Sequence, residues 1–321
     1  MNWYVIAFTM ALLISYLLTP YVRRLAVELK VLVHPGGRRV HSRPMPLWGG
    51  IAIYAAFAIT CLILFKLTGI KTKDESAIMG VLLSGSVIVI MGLVDDMKEL
   101  SAALQTAAII GSALVLMAFG ARIQVLSNPF SHSLIALPVT LSWLITLSWM
   151  FLVTKTIDFM DGLDGLAAGI GAIAAGVLAI MAFYYKQYHV TLMAATLSGA
   201  CIGFLRFNFN PAKIFMGTGG SQFIGFTLAA ISVIGAFKVA AAMAIALPIL
   251  VLGVPIADGF FVMFRRLWNR QPIHVADRSH LHHRLIARGL THKQAVYVVW
   301  GIVGVTGIVA LFIMLRHRIG L

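Results

Sequence analysis

Apolar runs near the length a helix needs to cross a hydrocarbon core, about 20 residues, recur along the whole chain with only short polar loops between them. About ten such spans are expected, at 2–22, 46–65, 76–94, 102–120, 134–153, 162–184, 188–205, 221–236, 239–262 and 295–315. The run at 162–184 is expected to open inside a protein-lined cleft. These runs predict an all-α fold, a polytopic transmembrane helical bundle forming one domain over residues 1–321. Composition agrees: 60% of the residues are hydrophobic and 11% charged, far from a soluble domain. The opening MNWYVIAF has neither a basic leader nor a small-residue cleavage pattern, so the first run is expected to be retained as a span. Cys61 and Cys201 both fall inside apolar runs without metal-ligand spacing and read as small packing residues.

The net charge of +14 does not mark a nucleic-acid binder here, because basic residues beside spans fix topology and meet lipid headgroups. One set of alternate loops, holding Arg23, Arg24, Lys30, Arg38, Arg39, Arg43 and the basic stretch from Arg265 to Lys293, carries about twice the Lys and Arg of the other. That set is expected to be cytoplasmic, with both termini extracytoplasmic. Of the 11 acidic residues only Asp74 and Glu75 fall on the outer side. Acidic residues contribute little to topology, so their gathering on the inner face points to a polar site there.

Four segments carry the chemistry. Asp95 and Asp96 end the third run, and two adjacent carboxylates at a membrane surface are relieved by a divalent cation or a shared proton. In the segment from Lys155 to Gly169, Asp158, Asp161 and Asp164 recur every third residue, one face of a helix, beside Gly162 and Gly165. That pattern suits a metal, a sugar nucleotide or both. The stretch Phe207 to Ser221 has a Gly-rich turn before a helix, able to offer N–H groups to a phosphate, with Phe215 available to stack on a base. A plain Gly-rich connection would read the same way. Finally His280, His282 and His283 with Arg278 and Arg284 suit a pyrophosphate better than zinc, since a fourth ligand is missing and the neighbours are arginines. A basic loop holding lipid headgroups is the alternative. A transporter would place ionisable residues at mid-membrane depth, where few lie.

Taken in order, these segments resemble the polyprenyl-phosphate N-acetylhexosamine-1-phosphate transferases, relatives of the phospho-N-acetylmuramoyl-pentapeptide transferases. The resemblance runs from Arg39-Val40-His41 and Pro46-Leu47-Trp48-Gly49-Gly50 through Val94-Asp95-Asp96, Met160-Asp161-Gly162-Leu163-Asp164-Gly165, Pro211-Ala212-Lys213-Ile214-Phe215-Met216-Gly217 and Asp258 to His280-Leu281-His282-His283-Arg284. It implies transfer of a sugar 1-phosphate, GlcNAc-1-phosphate foremost, from a UDP-HexNAc to undecaprenyl phosphate at the cytoplasmic face of a bacterial plasma membrane. UMP is released, and Mg2+, with Mn2+ as the alternative, is required. The alternatives are a non-catalytic or weakly active relative, or a polyprenyl-lipid-binding or transport protein.

By the same resemblance Asp95, Asp96, Asp161 and His282 would be catalytic, and Asp95, Asp96, Asp158, Asp161 and Thr218 would hold the metal. Arg39, His41, Asp164, Lys213, Phe215, His280, His283 and Arg284 would bind substrate, Phe215 facing the uracil and the His280 to Arg284 segment the diphosphate. Membrane lipids are expected partners, nucleic acid is not, and homo-oligomerisation is left open. The chain departs from these relatives in three places. They usually have Asp at the position of Thr218 and Asn at those of Lys155 and Asp158, and a lysine common soon after the Asp-Asp pair is missing between Ser101 and Gly120. Asp158 is therefore expected to supply the negative charge lost at Thr218, with Lys155 balancing it.

Overall fold

The computed structural model describes residues 3–33, 44–69, 72–127, 134–236, 246–268 and 280–319. The helices among them are α1 (Trp3–Glu28), α2 (Gly49–Thr68), α3 (Thr72–Lys98), α4 (Ala102–Ala118), α5 (Val139–Met160), α6 (Leu166–Tyr184), α7 (Tyr188–Asn208), α8 (Thr218–Ala236), α9 (Ala246–Val251), α10 (Gly253–Trp268), α11 (Leu281–Ala287) and α12 (His292–Ile319). Two short antiparallel pairs complete the described residues. β1 (Leu32–Val33) pairs with β2 (Met45–Pro46), and β3 (Val125–Ser127) with β4 (Leu134–Ala136).

Eight helices, α1, α2, α3, α5, α6, α7, α8 and α12, are long and apolar enough to cross a membrane. The all-α polytopic bundle is thus present, and among the described residues eight of the expected ten spans reach that length. The run at 102–120 forms a helix of only 17 residues. The run at 239–262 falls partly outside the described residues, and its described part breaks between α9 and α10. Gly253 and Pro255 stand at that break, where proline lacks an N–H for the preceding turn but fits the first turn of the next helix. The start of α6 also moves, from the expected 162 to Leu166, because Gly165 takes φ 82 as its N-cap and leaves Gly162 to Gly165 as a turn. Likewise 134–136 form β4, and α5 begins only after Pro138.

At the centre stands α8, 89% of whose apolar window is buried, while α1 and α12 at the rim are only 28% buried. Rim side chains such as Leu17, Tyr21, Ile308 and Phe312 stay exposed on apolar helices, as lipid-facing surfaces do. The start of α8 is wedged between the start of α2 and the last turns of α3 by backbone contact. A Cβ on Gly92 would lie 2.1 Å from the Gly219 Cα, and one on Gly50 2.4 Å from the Gly220 Cα. Small residues at such crossings let helices approach closely in an apolar medium, where van der Waals packing drives association. This close packing draws the end of α3, the 209–217 loop and the start of α8 to one end of the bundle.

Candidate functional site

That end is where the acidic motifs meet. Asp95 and Asp96 lie in the last turn of α3, and the Asp96 Oδ1 accepts the backbone N–H of Thr218 at 2.9 Å. The Thr218 hydroxyl turns to the same carboxylate. The other Asp96 oxygen, Oδ2, is buried without a hydrogen-bond partner among the described residues, and a Cβ on Gly217 would fall 2.2 Å from it. Gly217 takes φ +76, so glycine is required there both for its backbone and for the space the carboxylate fills.

Asp161 caps the end of α5, and among the described residues its carboxylate makes no hydrogen bond. Burial, with the neighbouring charges of Asp158, Asp96 and Asp164, pushes it up to about 7. Asp96, Asp158, Asp161 and Asp164 therefore lie close enough to sense one another's charge. Asp164 has other work: its Oδ2 accepts from Asn210 Nδ2 at 2.9 Å and from the Ala212 N–H at 3.1 Å, while its own N–H donates to His292 Nε2 at 2.8 Å. It clamps the 210–212 loop to the start of α6. Asn208 does the same next door, accepting from the Gly165 N–H and donating to the Ile214 carbonyl, both at 3.0 Å.

That loop carries Lys213 and Phe215. Phe215 N donates to the Pro46 carbonyl at 2.8 Å, and Gly49 and Gly50 N–H groups donate to the Phe215 and Met216 carbonyls at 3.0 and 2.8 Å. Phe215 is half-buried, and Lys213 is exposed with its carbonyl held by Arg23 Nε at 3.0 Å.

His282 closes the opposite wall. Only 1% exposed, it leaves Nδ1 and Nε2 without hydrogen-bond partners among the described residues, and its Nε2 lies against the turn after Asp161, 2.3 Å from where a Gly162 Cβ would stand. Burial, helped by His283, His280 and His292, pushes it down to about 3, so the ring is neutral at pH 7. A buried imidazole with both nitrogens idle is costly unless something else completes its bonding. His280 stacks parallel to it at 5.9 Å, and the Asp258 carboxylate holds His280 Nδ1 at 2.7 Å and the Leu281 N–H at 2.6 Å. His283 lies 4.3 Å from His282, ring to ring, and the exposed Arg284 covers the Phe261 ring at 4.9 Å.

Two of the expected metal ligands, Asp158 and Thr218, have neighbours of their own. Asp158 Oδ2 accepts from Lys155 Nζ at 2.9 Å and Gln222 Nε2 at 3.2 Å, and its Oδ1 accepts from Ser221 Oγ at 2.7 Å. Lys155 thus stands beside Asp158, as the expected balancing cation would. Thr218 serves Asp96 as a donor. Arg39 and His41 lie outside the described residues. Sequence reasoning passed over Gln105 and His292; Gln105 carried a faint signal, an amide in the first turns of an otherwise apolar helix.

Residues 78–236 match glycosyl transferase family 4. A Bacillus subtilis protein named "Probable undecaprenyl-phosphate N-acetylglucosaminyl 1-phosphate transferase" is 35% identical, over 92% of this chain and 81% of its own length. A decaprenyl-phosphate N-acetylglucosaminephosphotransferase of Mycobacterium leprae is 33% identical over 92% and 80%. A phospho-N-acetylmuramoyl-pentapeptide-transferase of Halalkalibacterium halodurans is 27% identical over 92% and 91%.

Proposed function

Because the chain belongs to glycosyl transferase family 4, we propose that it transfers GlcNAc-1-phosphate from UDP-GlcNAc to undecaprenyl phosphate at the cytoplasmic face of the plasma membrane, beginning a lipid-linked cell-envelope glycan. An oxygen of the lipid phosphate attacks the sugar-bearing phosphorus, the bond to the UMP oxygen breaks, and UMP leaves with the electron pair. The observation that carries this reading is the meeting, at one end of a membrane bundle, of Asp96 and Asp161 with a buried His282 that lacks hydrogen-bond partners among the described residues. A headgroup phosphate reaches that depth while its polyprenyl tail stays in lipid.

The chemistry asks for charge neutralisation and alignment more than for a strong base, since two phosphate groups approach each other. Neutral His282 is suited to donate one N–H to a phosphate oxygen without adding charge. The clamp built by Asp164, Asn208 and Asn210 ties down the loop that carries Phe215, the ring we assign to stacking on uracil.

A divalent cation suits the residues present. The unpartnered buried Asp96 Oδ2 and the raised Asp161 are carboxylates that repel one another unless a cation or protons intervene. Among the described residues no group of three or more His, Cys, Asp or Glu forms a closed metal site. Mg2+ asks for none, since it keeps waters and takes one or two carboxylates with substrate phosphates. Asp96 and Asp161 would hold it, and it would supply neutralisation of the diphosphate charge. The test is UMP release by purified protein given undecaprenyl phosphate, Mg2+ and a panel of UDP-sugars. Release with UDP-GlcNAc and a lipid-linked GlcNAc diphosphate product are expected; release without a lipid product would refute transfer.

A further inference from the structure

One polar network at the site serves neither the clamp nor the histidine wall. It begins at Asp95, whose Oδ1 accepts both the Leu100 N–H and Gln105 Nε2 at 2.9 Å. Gln105 Oε1 accepts from Lys155 Nζ at 2.7 Å, and Lys155 Nζ also donates to Asp158 Oδ2 at 2.9 Å. Ser221 and Gln222 then tie Asp158 to α8. An unbroken run of side-chain bonds thus crosses α3, α4, α5 and α8. It joins two carboxylates of the crevice through one amide and one ammonium.

The donors and acceptors leave a single way to assemble it. An ammonium only donates and an ionised carboxylate only accepts, so Gln105 has to face Lys155 with its oxygen and Asp95 with its nitrogen. The amide orientation is therefore set by Lys155, and the amide in turn sets Asp95. Without the ammonium, Gln105 is free to turn its oxygen toward Asp95, where it would repel the carboxylate. Asp158 keeps Lys155 in place, and the Phe159 ring lies 5.8 Å from the ammonium on another side. The Lys155 and Asp158 side chains are 13% and 15% exposed, so water screens the pair only weakly.

We propose that Lys155 is a positioning residue for the transfer, acting through Gln105 to hold Asp95 in one orientation. Asp158 serves as the anchor of that lysine. The inference rests on the transferase reading. It assigns a duty to Lys155 and Gln105, on which that reading does not draw.

The experiment measures kcat, the KM for each substrate and thermal stability for wild type, Gln105→Leu, Lys155→Met, the double variant and Lys155→Arg. Loss of a group that orients a site carboxylate is expected to lower kcat about 10- to 100-fold, with the UDP-GlcNAc KM changed less than about threefold. Because both residues act along one route, the double variant should be no slower than the worse single variant. Lys155→Arg, which keeps a cation able to donate to Gln105, should recover part of the rate. Wild-type kcat in Gln105→Leu, or losses that multiply in the double variant, would overturn the proposal. So would activity losses that merely track lost thermal stability across the set. Should Lys155→Met fail to fold, Gln105→Leu, which leaves the Lys155–Asp158 pair intact, decides alone. No transfer by the wild-type protein would overturn the transferase reading and this inference with it, whereas wild-type transfer with indifferent variants overturns the inference only.

Discussion

Gly217→Ala should separate catalysis from stability at the centre of the site. The residue holds φ +76, a conformation that costs an alanine about 1 kcal/mol. Its new Cβ would also start 2.2 Å from the buried Asp96 Oδ2, against a normal contact of about 3.2 Å, so the carboxylate has to retreat by about 1 Å. A misplacement of that size in a reacting constellation is worth about 100-fold in rate, or about 2.7 kcal/mol of barrier. The strain alone would lower Tm by only about 2 to 4 °C. Gly69→Ala supplies the control, since Gly69 also has positive φ, +61, but a Cβ there meets nothing within 4 Å. UMP-release kinetics and thermal melts of both variants in detergent should show comparable stability losses and a rate loss confined to Gly217→Ala. Near-normal kcat in Gly217→Ala would refute the assignment of Asp96 to the reacting centre.

Asp258→Asn replaces an acceptor of the His280 ring with a competing NH2 group; turnover should fall about 10-fold or more with little change in Tm, read from kcat and melting curves. Asp164→Ala releases Asn210 and Ala212 and should raise the KM for UDP-GlcNAc more than it lowers kcat, as steady-state kinetics would show. His282 titrates near 3 when folded and near 6.5 when unfolded, so the unfolded chain binds the extra proton between those values. Its contribution to stability is complete above 6.5 and declines by up to about 1.4 kcal/mol per pH unit as pH falls below it; His282→Asn should flatten that part of the Tm against pH curve. Trp149→Phe removes a buried bond to Ser232 Oγ of 2.8 Å and should cost about 0.5 to 1 kcal/mol of stability without changing kcat, measured by melts and turnover.

Much of the architecture was legible in the sequence because lipid imposes it. A run such as 188–205 has to satisfy its backbone internally, so α7 (Tyr188–Asn208) follows from hydropathy alone. The same logic overran where local backbone chemistry intervened. Gly253 and Pro255 divided one expected span, and the left-handed Gly165 delayed another. Asp96, Asp161 and His282 were legible as site candidates because ionisable residues beside spans need a reason to be there. Their duties were not. Residue type and spacing marked Asp158 and Asp164 as members of the same face as Asp161, and only the packing of α4, α8 and the 210–212 loop against them distinguishes the three. Lys155 and Ser221 occupy Asp158, the loop occupies Asp164, and Asp161 alone is left open. The sequence by itself determined which groups carry charge and at which end of the bundle they collect. Which of those charges are already answered by a neighbour was decided by tertiary structure, because a hydrogen bond depends on distances of a few tenths of an ångström between residues as far apart in the chain as Gln105 and Lys155.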